Sequence, residues 1–142
     1  MTNTEQNKKV VTELIDGLFS RGDLGAVDAY LSDEFVNHDP PMGVSPDREG
    51  MRTAGAMFRA AFPDWRSELH RLVAEEDIVT EQFTARGTHL GEVMGVAPTG
   101  REISLQGINV WRVRDGRITE RWGRLDELGF LRQLGVVPSR EP

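Results

Sequence analysis

The chain contains no cysteine, which excludes a disulfide framework, a thiolate nucleophile and a zinc finger, and makes the cytosol the expected location. No apolar run approaches the roughly 20 residues that span a bilayer. The N-terminus, MTNTEQNKK, lacks the apolar core of a signal peptide, so neither a membrane partner nor export is expected. Positive charge is scarce: 17 Lys and Arg against 23 Asp and Glu leave a formal charge of −6. No basic cluster is present to hold phosphates, and no nucleic-acid partner is expected. The histidines, His38, His70 and His89, make no H-E-x-x-H or comparable spacing, so no metal site is expected. A Walker loop, a dinucleotide fingerprint and a nucleophile elbow are also missing, and no cofactor is expected.

What is present has the balance of a folded domain. Of 142 residues, 38% are hydrophobic and 28% charged, and folding at that length hides roughly 68–70% of the unfolded chain's surface. One core with room for one pocket is expected, in a single domain over 1–142. Val10, Val11, Leu14, Ile15, Leu18 and Phe19 recur at helical spacing, and Arg21-Gly22-Asp23 ends the run. Leu24, Val27, Tyr30 and Leu31 mark a shorter second helix. Phe35 to Pro41 reads as loop, because proline forbids helix continuation. Ser45 is the expected N-cap of a third helix, with Pro46 at its first position and Met51, Ala54, Phe58 and Ala61 on one face. That helix stops before Pro63. From Trp65 onward the period alternates, and 66–74, 78–89, 102–114 and 117–126 read as strands. Glu75-Glu76-Asp77 is a polar turn, Gly91 to Gly100 a mobile turn or pocket lid, and Asp115-Gly116 a two-residue hairpin turn. A short helix over 127–134, capped by Gly135, closes the chain. Helices followed by an antiparallel sheet give an α+β fold.

The last hairpin carries the best candidate site. With Asp115-Gly116 as the turn, Trp111 lies opposite Glu120, Asn109 opposite Trp122, Gly107 opposite Arg124 and Leu105 opposite Asp126, all on one face. Two tryptophans and several aliphatics then surround one amide, two carboxylates and an arginine, which is the make-up of a small-molecule pocket. Desolvation raises the Asp126 carboxyl pKa while Arg124 lowers it, so Asp126 is a candidate proton carrier. It directly precedes the last helix and is equally well placed to cap it. Trp111 and Trp122 read either as core or as ligand platform, and Arg124 and Glu120 as site residues or as surface partners of one another. His38, in the proline-rich loop, is a candidate catalytic group or a loop brace. Phe58 and Trp65 are further candidates for holding an apolar substrate. The other face, with Gln106, Ile108, Val110, Arg112, Thr119, Arg121 and Leu125, reads as exterior or dimer surface.

VNHDPP at 36–41, FPDW at 62–65, GTHLGEVMGVAPTGR at 87–101, DGRITERW at 115–122 and DELGFLRQLG at 126–135 together resemble the SnoaL-like polyketide cyclases of the nuclear transport factor 2-like superfamily. The resemblance implies a cone-shaped α+β barrel, with N-terminal helices on a curved antiparallel sheet enclosing a pocket. It implies an enzyme that works on an aromatic, anthracycline-type polyketide in antibiotic biosynthesis. In that family a carboxylate after the final strand takes an acidic proton so that an enolate can close a ring, and Asp126 matches its position. Arg124, Asn109 and Trp122 would ease the enolate charge.

The sequence departs from the family where its cyclases carry a histidine on the strand before the hairpin; Trp111 stands there. That departure raises the related polyketide hydroxylases as a competing reading, with a redox or pathway partner protein. A hydrophobic-ligand-binding module without catalysis is a further alternative. Limonene-type epoxide hydrolases pair Arg and Asp two residues apart, as Arg124 and Asp126 are, but no second Asp is found to activate water. The resemblance also implies a homodimer, with Ile108, Val110 and Leu125 supplying apolar contact.

Overall fold

A computed structural model describes residues 3–138. Helix α1, Asn3–Leu14, buries Val11 and Leu14, and continues as a π-helical stretch, Ile15–Ser20, that buries Leu18. Gly22, at φ 69°, lets the chain turn into α2, Gly25–Tyr30. In α3, Arg48–Ala61, the face with Met51, Ala54, Phe58 and Ala61 is buried as the spacing predicts. Its cap is Asp47 rather than Ser45: Asp47 Oδ1 accepts from Gly50 N–H at 3.0 Å, while the Ser45 hydroxyl donates to that same oxygen at 2.7 Å. Helix α4, Glu127–Leu134, ends at Gly135 in the left-handed region, as expected.

Five strands form one sheet: β1 Leu31–Asn37, β2 Arg66–Glu75, β3 Ile78–Thr88, β4 Glu102–Arg114 and β5 Arg117–Leu125. Their spatial order is β1-β5-β4-β3-β2. The last four match the expected strands to within a residue. The first overturns an expectation, since Phe35 to Asn37 is strand and not loop. It is an edge strand that pairs only with β5, in parallel, and it stops before Pro40-Pro41. Leu31, Phe35 and Asn37 face inward while the residues between them stay wet, a pattern too short and too polar to stand out. The α+β arrangement of helices on a sheet holds. The five-stranded sheet is open, with edges at β1 and β2; four strands pair antiparallel and β1 joins in parallel. Two buried clusters fill the interior. One gathers Leu14, Leu18, Val27, Leu31, Trp111 and Ile118; the other gathers Phe58, Phe62, Trp65, Phe83, Leu105 and Phe130.

The β4–β5 hairpin begins as expected. Asp115 and Gly116 both have positive φ, and Arg114 faces Arg117. Then the register shifts: Val113 faces Ile118 but Arg112 faces Glu120, leaving Thr119 as an extra residue in β5. A one-residue bulge turns every following side chain to the opposite face. Trp111 therefore faces Arg121, Asn109 faces Gly123 and Gly107 faces Leu125. Arg121 and Leu125, read from the sequence as exterior, point inward. Glu120, Trp122 and Arg124 point outward, with Val36, Ile108 and Arg112.

Deleting Thr119 removes the unpaired residue and leaves Arg112 opposite Glu120 and Trp111 opposite Arg121, so Arg121 stays inward. Chemical denaturation is expected to show the deletion variant keeping most of its stability, whereas Asn109→Ala, which takes a hydrogen-bond partner from both Arg121 and Glu81, costs at least about 1–3 kcal/mol.

Candidate functional site

The inner face of the sheet and the facing helices enclose a cavity with about 580 Å³ of empty space, its mouth included. It lies where the two core clusters meet. Its walls are largely apolar: Met51, Ala54 and Phe58 come from α3, Ile15 and Phe19 from the π-helical stretch, and Phe83, Ala85, Leu105, Trp111 and Leu125 from the strands. Phe58 stacks on Trp65 with ring centroids 4.9 Å apart and planes 21° from parallel, giving one wall a flat aromatic surface. A flat apolar slot of this kind suits a planar hydrophobic molecule.

Among the described residues, the charged groups on this lining are Glu81 and Arg121, with Asn109 between them. Asn109 Nδ2–H donates to Glu81 Oε1 at 2.8 Å, and Arg121 Nε–H donates to Asn109 Oδ1 at 3.0 Å. This amide orientation alone satisfies both neighbours, because a carboxylate only accepts and a guanidinium only donates. Trp111 Nε1–H also donates to Glu81 Oε1, at 2.9 Å. Arg121 Nη1 reaches Asn37 Oδ1 at 2.9 Å and the Asp39 carbonyl at 2.8 Å. All five side chains of this network are buried; Glu81 is 1% exposed and Arg121 5%.

Burial pushes the Glu81 carboxyl above the usual carboxylate range, against the bonds from Asn109 and Trp111 and the charge of Arg121. Burial likewise lowers Arg121, opposed by the charges of Asp39 and Glu81. Among the described residues Arg121 makes no ion pair within 4 Å, its acceptors being neutral oxygens. It is a buried cation on the cavity wall, bonded to neutral oxygens and coupled at longer range to Asp39 and Glu81. Gly123 makes room for it: a Cβ there would lie 2.2 Å from Arg121 Nη2 and 2.8 Å from Asn109 Oδ1. The Asp39 carboxylate fixes the adjoining backbone by accepting from Gly123 N–H at 2.9 Å. That bond, then Arg124, holds Asp39 below the usual range against desolvation.

Of the residues singled out from the sequence, Phe58, Trp65, Asn109 and Trp111 meet in this cavity. The other five lie elsewhere. Asp126 is exposed and caps α4, its Oδ1 accepting from Gly129 N–H at 3.0 Å. Arg124 has a side chain 83% exposed and pairs with Asp39 at 2.9 Å. His38, Glu120 and Trp122 gather on the outer face. His38 Nε2–H donates to Glu120 Oε2 at 2.8 Å and the His38 ring stacks on Trp122 at 4.8 Å. The hydrogen bonds from His38 and from Arg112, which reaches Glu120 at 2.6 Å, hold the Glu120 carboxyl below its usual range. Gly107 leaves no space for substrate, since a Cβ there would meet Leu125 at 2.5 Å and Phe83 at 2.9 Å. No three His, Asp or Glu side chains among the described residues cluster as metal ligands.

Sequence reasoning missed Glu81 and Arg121. Glu81 left a signal: it interrupts the alternating Val79, Phe83 and Ala85 on the buried face of β3. Arg121 left none, because only the bulge turns it inward.

A model of the SnoaL-like polyketide cyclases matches residues 9–134, and the chain belongs to that family of enzymes. It is 28% identical over 119 residues to the nogalonic acid methyl ester cyclase of Streptomyces nogalater, covering 82% of this chain and 89% of that one. It is 30% identical over 108 residues to the aklanonic acid methyl ester cyclase DnrD of Streptomyces peucetius, covering 75% and 72%. Among solved structures, AclR of Streptomyces galilaeus, provisionally assigned as a hydroxylase, superposes with a TM-score of 0.85 at 30% identity over 96% of this chain and 89% of that one. IdmH of Streptomyces antibioticus, provisionally a polyketide cyclase, gives 0.80 at 35% identity over 92% and 99%.

Two substitutions at Glu81 separate its charge from its hydrogen bonds. Glu81→Leu leaves the Asn109 and Trp111 donors unpaired, at about 1–3 kcal/mol each. Glu81→Gln keeps an acceptor for both and removes the burial penalty on the charge. A carboxyl raised by folding stabilises the fold below its unfolded pKa, about 4.3, and that contribution is lost as pH rises through the folded value. Melting curves across pH are therefore expected to show Glu81→Gln gaining on wild type as pH rises above that range, with Glu81→Leu below both near neutrality.

Proposed function

We propose that this member of the family closes a ring on an aromatic, anthracycline-type polyketide, an ester of the kind for which its curated relatives are named, by intramolecular aldol chemistry. The observation that carries this reading is the buried Glu81–Asn109–Arg121 network on the wall of an aromatic-lined cavity. The ionised Glu81 takes the acidic proton from a carbon between two carbonyls. Arg121 carries the charge that develops on the enolate oxygen, in a site where little water competes. The enolate carbon attacks a second carbonyl, a carbon–carbon bond forms, and the new alkoxide takes the proton back from Glu81. Substrate and product are isomers and Glu81 ends as it began. Asn109 and Trp111 hold the carboxylate in place, and Phe58 and Trp65 hold the flat substrate. The chain works in the cytosol as a homodimer through the outer sheet face, where Ile108 and Val36 are 47% and 42% exposed.

One observation favours a second outcome, hydroxylation. The cavity lining carries no histidine among the described residues, and the closely superposing AclR is on the hydroxylase side of the family. The same deprotonation then delivers a carbanion to molecular oxygen, with a reductant or partner protein taking the second oxygen to water.

Product analysis by mass spectrometry, in air and without oxygen, separates the two. An isomeric ring product formed equally in both conditions is expected. A gain of one oxygen only in air replaces cyclisation by hydroxylation. Glu81→Gln is expected to lower kcat by roughly 10²–10⁴-fold, the usual worth of a positioned general base. Asp126→Asn keeps a good helix cap and is expected to leave turnover unchanged; the reverse ranking moves the acid/base role to Asp126.

A further inference from the structure

We propose that a second pocket, between α1 with its π-helical continuation and β2, is a water-filled proton route joining Glu81 to bulk solvent without passing through the substrate cavity. The proposal rests on Glu81 as the acid/base group. Glu81, Ile15 and Ser67 line both spaces, so the carboxyl stands in the wall between them. Its two oxygens are not equivalent. Oε1 is occupied by Asn109 and Trp111, both on β4. Oε2 accepts from no described residue, which leaves it as the oxygen for a water to meet, although Glu81 as a whole is 1% exposed.

The second pocket has the size and lining a water chain needs. It encloses about 410 Å³ of empty space, its mouth included, where one water takes up roughly 30 Å³. Thr12, Asp16, Ser20 and Ser67 supply polar groups along it. Thr12 and Asp16 are exposed, which puts the outer end in solvent. The π-helical stretch builds this division: Phe19 lines the substrate cavity, Asp16 and Ser20 line the second pocket, and Ile15 stands between them and lines both. The groups around Glu81 are Asp16 from the π-helical stretch, Thr12 from α1, Ser67 from β2, Asn109 and Trp111 from β4 and Arg121 from β5. With an apolar substrate over Phe58 and Trp65, Oε2 exchanges its proton with water on this side. The O–H bond at Oε2 breaks, a water takes the proton outward, and Glu81 becomes a carboxylate.

The test is hydrogen–deuterium exchange of the protonated Glu81 carboxyl, followed by its infrared carbonyl stretch after mixing into D2O and assigned by its loss in Glu81→Gln. Thr12→Trp and Leu69→Trp fill the second pocket from positions that do not line the substrate cavity. Both are expected to slow exchange by an order of magnitude or more, with KM unchanged. A planar aromatic inhibitor in the substrate cavity is expected to leave wild-type exchange fast. Exchange that is blocked by the inhibitor and unaffected by both plugs overturns the route. The readout needs no turnover, so an inactive route and a non-catalytic Glu81 are told apart by comparison with the turnover of Glu81→Gln.

Discussion

The constraint on which the site depends is the burial of one guanidinium. Arg121 is 5% exposed and makes no ion pair within 4 Å among the described residues, an arrangement that costs several kcal/mol unless hydrogen bonds replace the lost water. Three neutral oxygens, on Asn109, Asn37 and Asp39, replace it. Each requires something of the fold. Asn109 must be opposite the residue two beyond Arg121, Asn37 must sit at register with Arg121 on a parallel edge strand, and position 123 must lack a side chain. The bulge at Thr119 satisfies the first, the pairing of β1 the second and Gly123 the third.

From that cation the polarity of the cavity follows. Arg121 orients the Asn109 amide, and the amide in turn orients Glu81, so a base and a stabiliser of negative charge are held apart by a neutral spacer. Had they met directly, an ion pair would have quenched both: the carboxyl would sit low, and the guanidinium would have no charge to spare. With the spacer in place, the Glu81 carboxyl stays raised by burial and Arg121 is unpaired by any carboxylate within 4 Å among the described residues, the arrangement on which the proposed removal of a proton from carbon rests.

Much of this architecture was legible in the residues. The alternating stretches from 66 onward, the Asp115-Gly116 turn and the α4 boundaries with Gly135 are local signals, and they hold. Asn109 and Trp111 were legible as pocket residues because β4 keeps its alternation throughout, and Phe58 because α3 keeps its helical spacing. The other half of the hairpin was not. Thr119 carries no mark of an extra residue, since Thr suits a regular strand as well as a bulge, and one unpaired residue exchanges the faces of Glu120 through Leu125. Glu120, Trp122 and Arg124 were drawn into the site by that single step, and Arg121 was drawn out of it. Asp126 had two readings from the start, and the local one, a helix cap, is the geometry observed.

The most direct test of the account is a crystal structure of the chain with an unreactive aromatic β-keto ester bound. The account predicts the ring system against Phe58 and Trp65, a carbonyl oxygen within hydrogen-bond distance of the Arg121 guanidinium, and the acidic carbon beside the Glu81 carboxyl. A ligand whose reactive carbon lies at Asp126, or one seated on the outer face against His38 and Trp122, would contradict it.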